Sequence, residues 1–305
     1  MNRQFYARGK ILLTSEFMIL HGARALAVPL NVGQHLHVID KKVVGQFHWI
    51  ARYNSEIWFE TILSLDDLGI IKTSSGQQSE NLKRMLRSLV EIKPEFMKYL
   101  HAGDVITNLE FDPRFGFGSS STLTSLLAQW AGIDSMQLHF RISRGSGYDV
   151  ACATSEGPIL YQVLNEMPVV QSVDFRPGFM DKMWLVYLGK KQESGKSVAA
   201  FLNNYQPNPD DVAYFSSLTG KFLKAASPND LGSLIMEHEN KLSEILNIPA
   251  LKSVQFNDLE GYVKSLGAWG GDFALLVTEW DRERLSSYLT GKGMTPWFNY
   301  SELAI

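Results

Sequence analysis

Apolar positions recur along this chain with two different periods. Residues 4–14, and then 35–63, are rich in Val, Ile, Phe, Trp and Tyr between polar breaks such as Val44-Gly45 and Tyr53-Asn54-Ser55. That pattern predicts one strand followed by two or three more. Leu82, Met85, Leu86 and Leu89 fall at helical spacing, so residues 79–92 read as a helix with Ser79 as its N-cap and Pro94 marking its end. From 104 to 111 the period returns to two, with Val105, Leu109 and Phe111 on one face and Asn108 and Glu110 on the other, as a half-buried strand requires. A glycine-bearing turn comes next. Leu123, Leu126, Leu127 and Trp130 then mark one face of a helix beginning near Ser120, preceded by serines suited to an N-cap.

The stretch Asn165–Gly178, with Pro168 and Pro177, reads either as the boundary between two halves or as a long loop. Beyond it, strands near 183–189 and 272–278 bracket helical patterns at 196–204, 211–226 and 230–247, the order of an α+β domain. With 305 residues the chain suits two closely packed domains, drawn here as 1–168 and 169–305. No repeat or low-complexity tract interrupts it, so any function lies in local sites.

Composition narrows the classes. The chain is 45% apolar and 20% charged, as ordinary globular proteins are. A net charge of −3 with an isoelectric point near 6.2 leaves no footprint for nucleic acid. The single cysteine, Cys152, excludes an intramolecular disulfide and a cysteine-built zinc site, and points to a reducing cytoplasm. The N-terminus lacks a secretory pattern, and no apolar run approaches the ~20 residues that span a bilayer. The expected partner is a small-molecule substrate, with no nucleic acid and no membrane; a homodimer is left open.

Between the 104–111 strand and the next helix lies Pro113-Arg114-Phe115-Gly116-Phe117-Gly118-Ser119-Ser120-Ser121-Thr122. Glycines at 116 and 118 let an anion approach the backbone, while helix N–H groups and serine hydroxyls supply donors. No lysine comes after them, so this is not a Walker loop, and a cation must come from elsewhere. A tight turn with a serine cap is the competing reading of these residues alone. The loop resembles the second signature of the GHMP kinases, Pro-x-x-x-Gly-Leu-Gly-Ser-Ser-Ala, with Phe117 in place of leucine and Gly116 one position closer to Pro113.

Two further stretches extend the resemblance across nearly the whole chain. Gly9-Lys10-Ile11-Leu12-Leu13-Thr14-Ser15-Glu16, running on to His21-Gly22, is similar to the first signature, with Ser15 where the family has glycine. Lys264-Ser265-Leu266-Gly267-Ala268-Trp269-Gly270-Gly271-Asp272-Phe273 is similar to the third, with Trp269 interrupting the glycines. Gly145-Ser146-Gly147-Tyr148-Asp149 looks like the Ser-Gly-x-Asp segment of mevalonate and phosphomevalonate kinases, and the whole is closest to bacterial members marked by Gly-Tyr-Asp. A helix-capping aspartate is the plainer reading of Asp149.

The resemblance implies a two-domain α+β GHMP kinase fold, with an N-terminal ribosomal-protein-type α/β sandwich and a C-terminal ferredoxin-like layer. It implies ATP and Mg2+ as cofactors, with Asp149 orienting or deprotonating the acceptor and Lys10 stabilising the transferred group. Nucleotide would bind at Gly116, Phe117, Gly118, Ser119, Ser120 and Ser121, with Ser119 or Ser120 on the metal. The glutamate that some mevalonate kinases place upstream of the Asp149 segment has no counterpart. Substrate contacts would come from Glu16, His21, Ser146, Gly147, Gly267, Ala268, Trp269 and Gly270. They would also come from the lysine-rich stretch that includes Lys190, Lys191, Ser194 and Lys196. Those lysines favour an acceptor that already carries phosphate, although mevalonate and phosphomevalonate both stay open. A non-catalytic nucleotide or metabolite binder is the alternative that Ser15, Trp269 and the missing glutamate suggest.

Overall fold

The computed structural model describes residues 3–41, 43–189, 194–206, 208–267, 269 and 271–305. In chain order its elements are β1 (Arg3–Leu12), β2 (Ala25–Asp40), β3 (Gln46–Tyr53), β4 (Glu56–Ser64), β5 (Ile70–Thr73), α1 (Gly76–Ile92), α2 (Phe96–Ala102), β6 (Gly103–Leu109), α3 (Ser119–Ala131), α4 (Ser135–Ile142) and α5 (Tyr148–Ala153). They continue with β7 (Ile159–Leu164), β8 (Met167–Ser172), β9 (Met183–Tyr187), α6 (Ser194–Asn204), α7 (Pro209–Phe222), α8 (Pro228–Leu246), α9 (Leu251–Gln255), β10 (Tyr262–Leu266), β11 (Phe273–Val277), α10 (Arg282–Gly291), β12 (Trp297–Asn299) and α11 (Tyr300–Leu303). Two compact units emerge. One contains the chain up to Gly9, Val32–Pro113 and Phe117–Thr154; the other contains Lys10–Asn31, Arg114–Gly116 and Ser155–Ile305. The units are interleaved along the chain, whereas the division drawn from the sequence was a single cut after residue 168.

In the first unit the strands run in the order β5-β4-β3-β6-β2, with β3 and β6 parallel and the other neighbours antiparallel. Phe47, Trp49 and Ala51 of β3 alternate inward, as the period of two requires, and meet the Leu82, Met85, Leu86 and Leu89 stripe of α1 in one apolar core. Leu126, Leu127 and Trp130 of α3 complete that core and hold the helix whose N-terminus adjoins the glycine loop. Helix α1 begins earlier than the sequence suggested. Ser75 in extended conformation is the N-cap, and Ser79 is buried inside the helix with its hydroxyl donating to Thr73 at 2.7 Å.

In the second unit β10-β11-β9-β12 form an antiparallel sheet. One of its faces, with Trp184, Val186, Val263, Ala274 and Leu276, packs on Leu285 and Leu289 of α10. Helix α8 lies against β10 so closely that a Cβ at Gly232 would come 2.0 Å from the Tyr262 ring, and only glycine fits there. The stretch read as a boundary or long loop contains a hairpin instead. Leu164 pairs with Met167 across the two-residue turn Asn165-Glu166, both at positive φ, and Pro168 is accommodated in β8, the terminal strand of the order β2-β7-β8. Among the described residues no helix is long and apolar enough to cross a membrane.

Candidate functional site

The glycine loop is shaped by backbone conformation before any side chain contributes. Gly116 and Gly118 have φ of 70° and 92°, and Gly118 is the N-cap of α3, with no side chain capping the helix. The serines are therefore not caps, as the sequence had suggested, but the first residues of the helix. Ser121 turns its hydroxyl back to the Gly118 carbonyl at 2.8 Å, and Thr122 bonds Gln34 at 2.6 Å, which ties the first turn down. The hydroxyls of Ser119, half-buried, and Ser120, exposed, make no hydrogen bond among the described residues. Phe117 has its ring buried against Phe111, so what it offers a ligand is backbone. An uncapped helix N-terminus behind left-handed glycines suits an anion.

Lys10 leaves β1 as a buried side chain whose ammonium donates to the Gly116 carbonyl at 3.2 Å. A cation thus meets the glycine loop that has no lysine of its own. Asp272, buried and at a positive φ of 56°, reaches the same glycine from the start of β11. A Cβ at Gly116 would lie 2.4 Å from the Asp272 carboxylate, and one at Gly267 would lie 3.2 Å from it. Residues from the first and third signatures therefore converge on Gly116 of the second. Phe115 anchors the loop beside them, its ring 5.0 Å from Tyr187 and 5.4 Å from Phe273.

The turn after β1 carries the departure noted at Ser15. Its φ is 64°, a conformation that costs an L-residue about 1–2 kcal/mol. Several bonds hold it there. The Ser15 hydroxyl donates to the Arg24 carbonyl at 2.7 Å and lies 3.2 Å from that of Thr219, which bonds Thr14 at 2.7 Å. The Ser15 amide donates to Nε2 of His238 at 2.9 Å. Glu16 comes next, buried, with Oε1 accepting from Lys264 at 2.7 Å. Lys264 also donates to Glu239 at 3.2 Å, and Glu239 accepts the Ser265 amide at 3.0 Å. Burial pushes the Glu16 carboxyl up, but the adjacent Lys264 ammonium outweighs it and holds it at about 2. For Lys264 burial works downward, and the two carboxylates reverse it, so its pKa is raised.

Asp149 is the second residue of α5 in the first unit, half-buried, and its carboxylate accepts the Val150 amide at 3.0 Å. The N-cap of α5 is Gly147, at φ 85°, so Asp149 does not cap the helix. Ser146 is buried just before it. His21 ends a single 3-10 turn over Met18–His21; burial lowers its pKa, its ring lies 5.5 Å from Phe201 and from Tyr205, and its Nε2 has no partner among the described residues. Trp269 packs against the Phe17, Met18, Phe201 and Phe215 cluster. Ser194 opens α6 and Lys196 is exposed in its first turn. Lys190, Lys191, Ala268 and Gly270 lie outside the described residues.

The motif reading passed over Thr14, His238, Glu239 and Lys264 as site residues. A signal existed for three of them. Lys264 is the charged residue of a short strand that also holds Tyr262, Val263 and Leu266, and positions 238 and 239 fall on the buried stripe of α8 marked by Leu231, Ile235 and Leu242. A charged residue on such a stripe is rarely buried unless paired.

No family model matches the chain, and no curated protein matches it. Solved structures do. Streptococcus pneumoniae phosphomevalonate kinase, in complex with phosphomevalonate and AMPPNP, is similar over 97% of this chain and 99% of its own, at 15% identity and a TM-score of 0.73. Methanococcus jannaschii mevalonate kinase is similar over 98% and 97%, at 17% identity and a TM-score of 0.64. Lactococcus lactis galactokinase complexed with galactose is similar over 99% and 93%, at 13% identity and a TM-score of 0.66. The chain therefore has, along nearly its full length, the fold that these GHMP kinases share, as the motifs implied.

Proposed function

We propose that this protein is an ATP-dependent kinase of the GHMP type acting on a small acceptor, with mevalonate or phosphomevalonate as the favoured substrates. The observation that carries the proposal is the Lys10 ammonium on the Gly116 carbonyl, a buried cation on the glycine loop that leads into an uncapped helix. Phosphoryl transfer asks the protein to position its reactants and offset charge more than to form covalent bonds. A cation at such a loop answers the second demand, and an acidic residue facing the acceptor answers the first. Asp149 is assigned that part, orienting the attacking oxygen and receiving its proton where the acceptor is an alcohol. The fold shared with phosphomevalonate kinase, mevalonate kinase and galactokinase supports the reaction class.

ATP would bring magnesium, which would neutralise charge that develops on the transferred group. The Ser119 and Ser120 hydroxyls suit a hard cation as oxygen ligands. Lys196, with Lys190 and Lys191 before it, favours an acceptor bearing phosphate. One cysteine in the whole chain favours a reducing cytoplasm as the setting.

The test is a coupled ADP-release assay with Mg-ATP against mevalonate, phosphomevalonate, diphosphomevalonate, galactose and homoserine, run beside Asp149→Ala. Acceptor-dependent release that falls by about a thousandfold or more in the variant is expected. Release that the variant leaves intact removes Asp149 from the mechanism. ATP binding without release for any acceptor favours the non-catalytic binder.

A further inference from the structure

We propose that His238 is a positioning residue: as a neutral ring protonated on Nδ1, it holds the Ser15 amide and thereby fixes the turn that connects the Lys10 strand to Glu16. The role rests on the kinase reading above; the arrangement does not.

Nε2 of His238 lies 2.9 Å from the Ser15 amide nitrogen and 3.1 Å from Oε2 of Glu16. It cannot serve both. An amide can donate only to a ring nitrogen that is bare, and a carboxylate can be met only by one that carries a proton. The amide geometry satisfies a hydrogen bond, and Oε2 of Glu16 is left with no donor among the described residues. The ring proton therefore resides on Nδ1, which lies 3.5 Å from Glu239 and makes no hydrogen bond among the described residues.

The ring is fully buried, and each group that faces it can be named. Ser15 and Glu16 come from the turn, and Glu239 from its own helix. Lys264 of β10 reaches it through both carboxylates. From α7 come the Phe215 and Phe222 rings, at 5.0 and 6.4 Å. With the ring neutral the cluster holds two carboxylates against one ammonium. Protonating the ring would balance those charges but would strip the Ser15 amide of its acceptor, in a turn already at positive φ. The neutral tautomer is thus the state that keeps the turn as observed, with Lys10 directed at Gly116 by the strand on one side and Glu16 locked on Lys264 on the other.

Glutamine at 238 can supply the same acceptor, its carbonyl receiving the Ser15 amide, whereas leucine supplies none. With an acceptor identified, His238→Gln is expected to keep kcat within about threefold, while His238→Leu loses kcat by about tenfold or more at little-changed KM for ATP. Wild-type kcat in a folded His238→Leu overturns the role. Because that variant risks misfolding, the arrangement is also read in the unsubstituted chain by 15N NMR of the histidine ring, assigned with His238→Gln. A bare Nε2 with protonated Nδ1 is expected; a proton on Nε2 overturns the proposal. Failure of every acceptor to release ADP overturns the kinase reading and the catalytic role with it, whereas the ring spectrum judges the arrangement separately.

Discussion

The Asp272 carboxylate occupies the space that a side chain at Gly116 would need, with Oδ2 2.4 Å from where a Cβ would stand. Gly116 also has φ of 70°, so two independent constraints bear on one residue. The relationship joins the start of β11 to the glycine loop and makes that loop's shape a property of residues more than 150 positions apart, 272 against 116.

Gly116→Ala is accordingly expected to do more than add the roughly 1–2 kcal/mol of a left-handed L-residue. Asp272 or the loop must shift as well, and Lys10 loses its carbonyl. The expected outcome is a lower melting temperature together with Mg-ATP affinity reduced by about tenfold or more, measured by isothermal titration calorimetry. Unchanged affinity would separate the loop from nucleotide binding.

Lys264→Met would leave the Glu16 and Glu239 carboxylates facing each other in a buried site. Removing one partner from a buried ion cluster costs about 3–5 kcal/mol. Arg141→Ala breaks an ion pair with Glu91 whose partners are both 57% exposed, and is expected to cost under about 1 kcal/mol. Urea unfolding of the two variants against the unsubstituted chain gives the comparison; equal losses would contradict the burial argument.

Acid should find the same cluster. The Glu16 carboxyl titrates near 4.5 when unfolded and at about 2 when folded, so between those values the unfolded chain holds more protons. Stability from this group is fully present above about pH 4.5 and is lost as pH falls through about 2. The urea midpoint of the unsubstituted chain is expected to fall more steeply across that window than the midpoint of Glu16→Gln. Parallel curves would mean that Glu16 contributes nothing there.

Ser15 offers a paired test of strain against hydrogen bonding. Ser15→Gly relieves the positive φ while losing the bonds to Arg24 and Thr219, and Ser15→Ala loses those bonds and keeps the strain. Glycine should therefore be more stable than alanine by about 1 kcal/mol in thermal unfolding. The reverse order would show that chain entropy, which glycine raises in the unfolded state, outweighs the strain.

What the sequence determined by itself is the local part of this protein. Periodicity placed β6, α3 and the body of α1, because strand and helix spacings are short-range and the core stripes are continuous. Glycines at 116 and 118, a lysine at 10 and an aspartate at 149 were legible as candidate chemistry for the same reason: each sits in a short motif whose backbone needs are local. The cap of α1 moved from Ser79 to Ser75 because one serine resembles another until the helix packs. The hairpin at Asn165-Glu166 was read as part of a boundary or a long loop because turn residues mark a break in regular structure without specifying whether the flanking segments pair. Only the tertiary structure decided that Lys264 pairs with Glu16 and Glu239, that His238 receives the Ser15 amide, and that Asp272 lies on Gly116. These groups are separated by 25 to 248 positions, and their energetics depend on burial that exists only once α8, β10 and the first-motif turn have packed together.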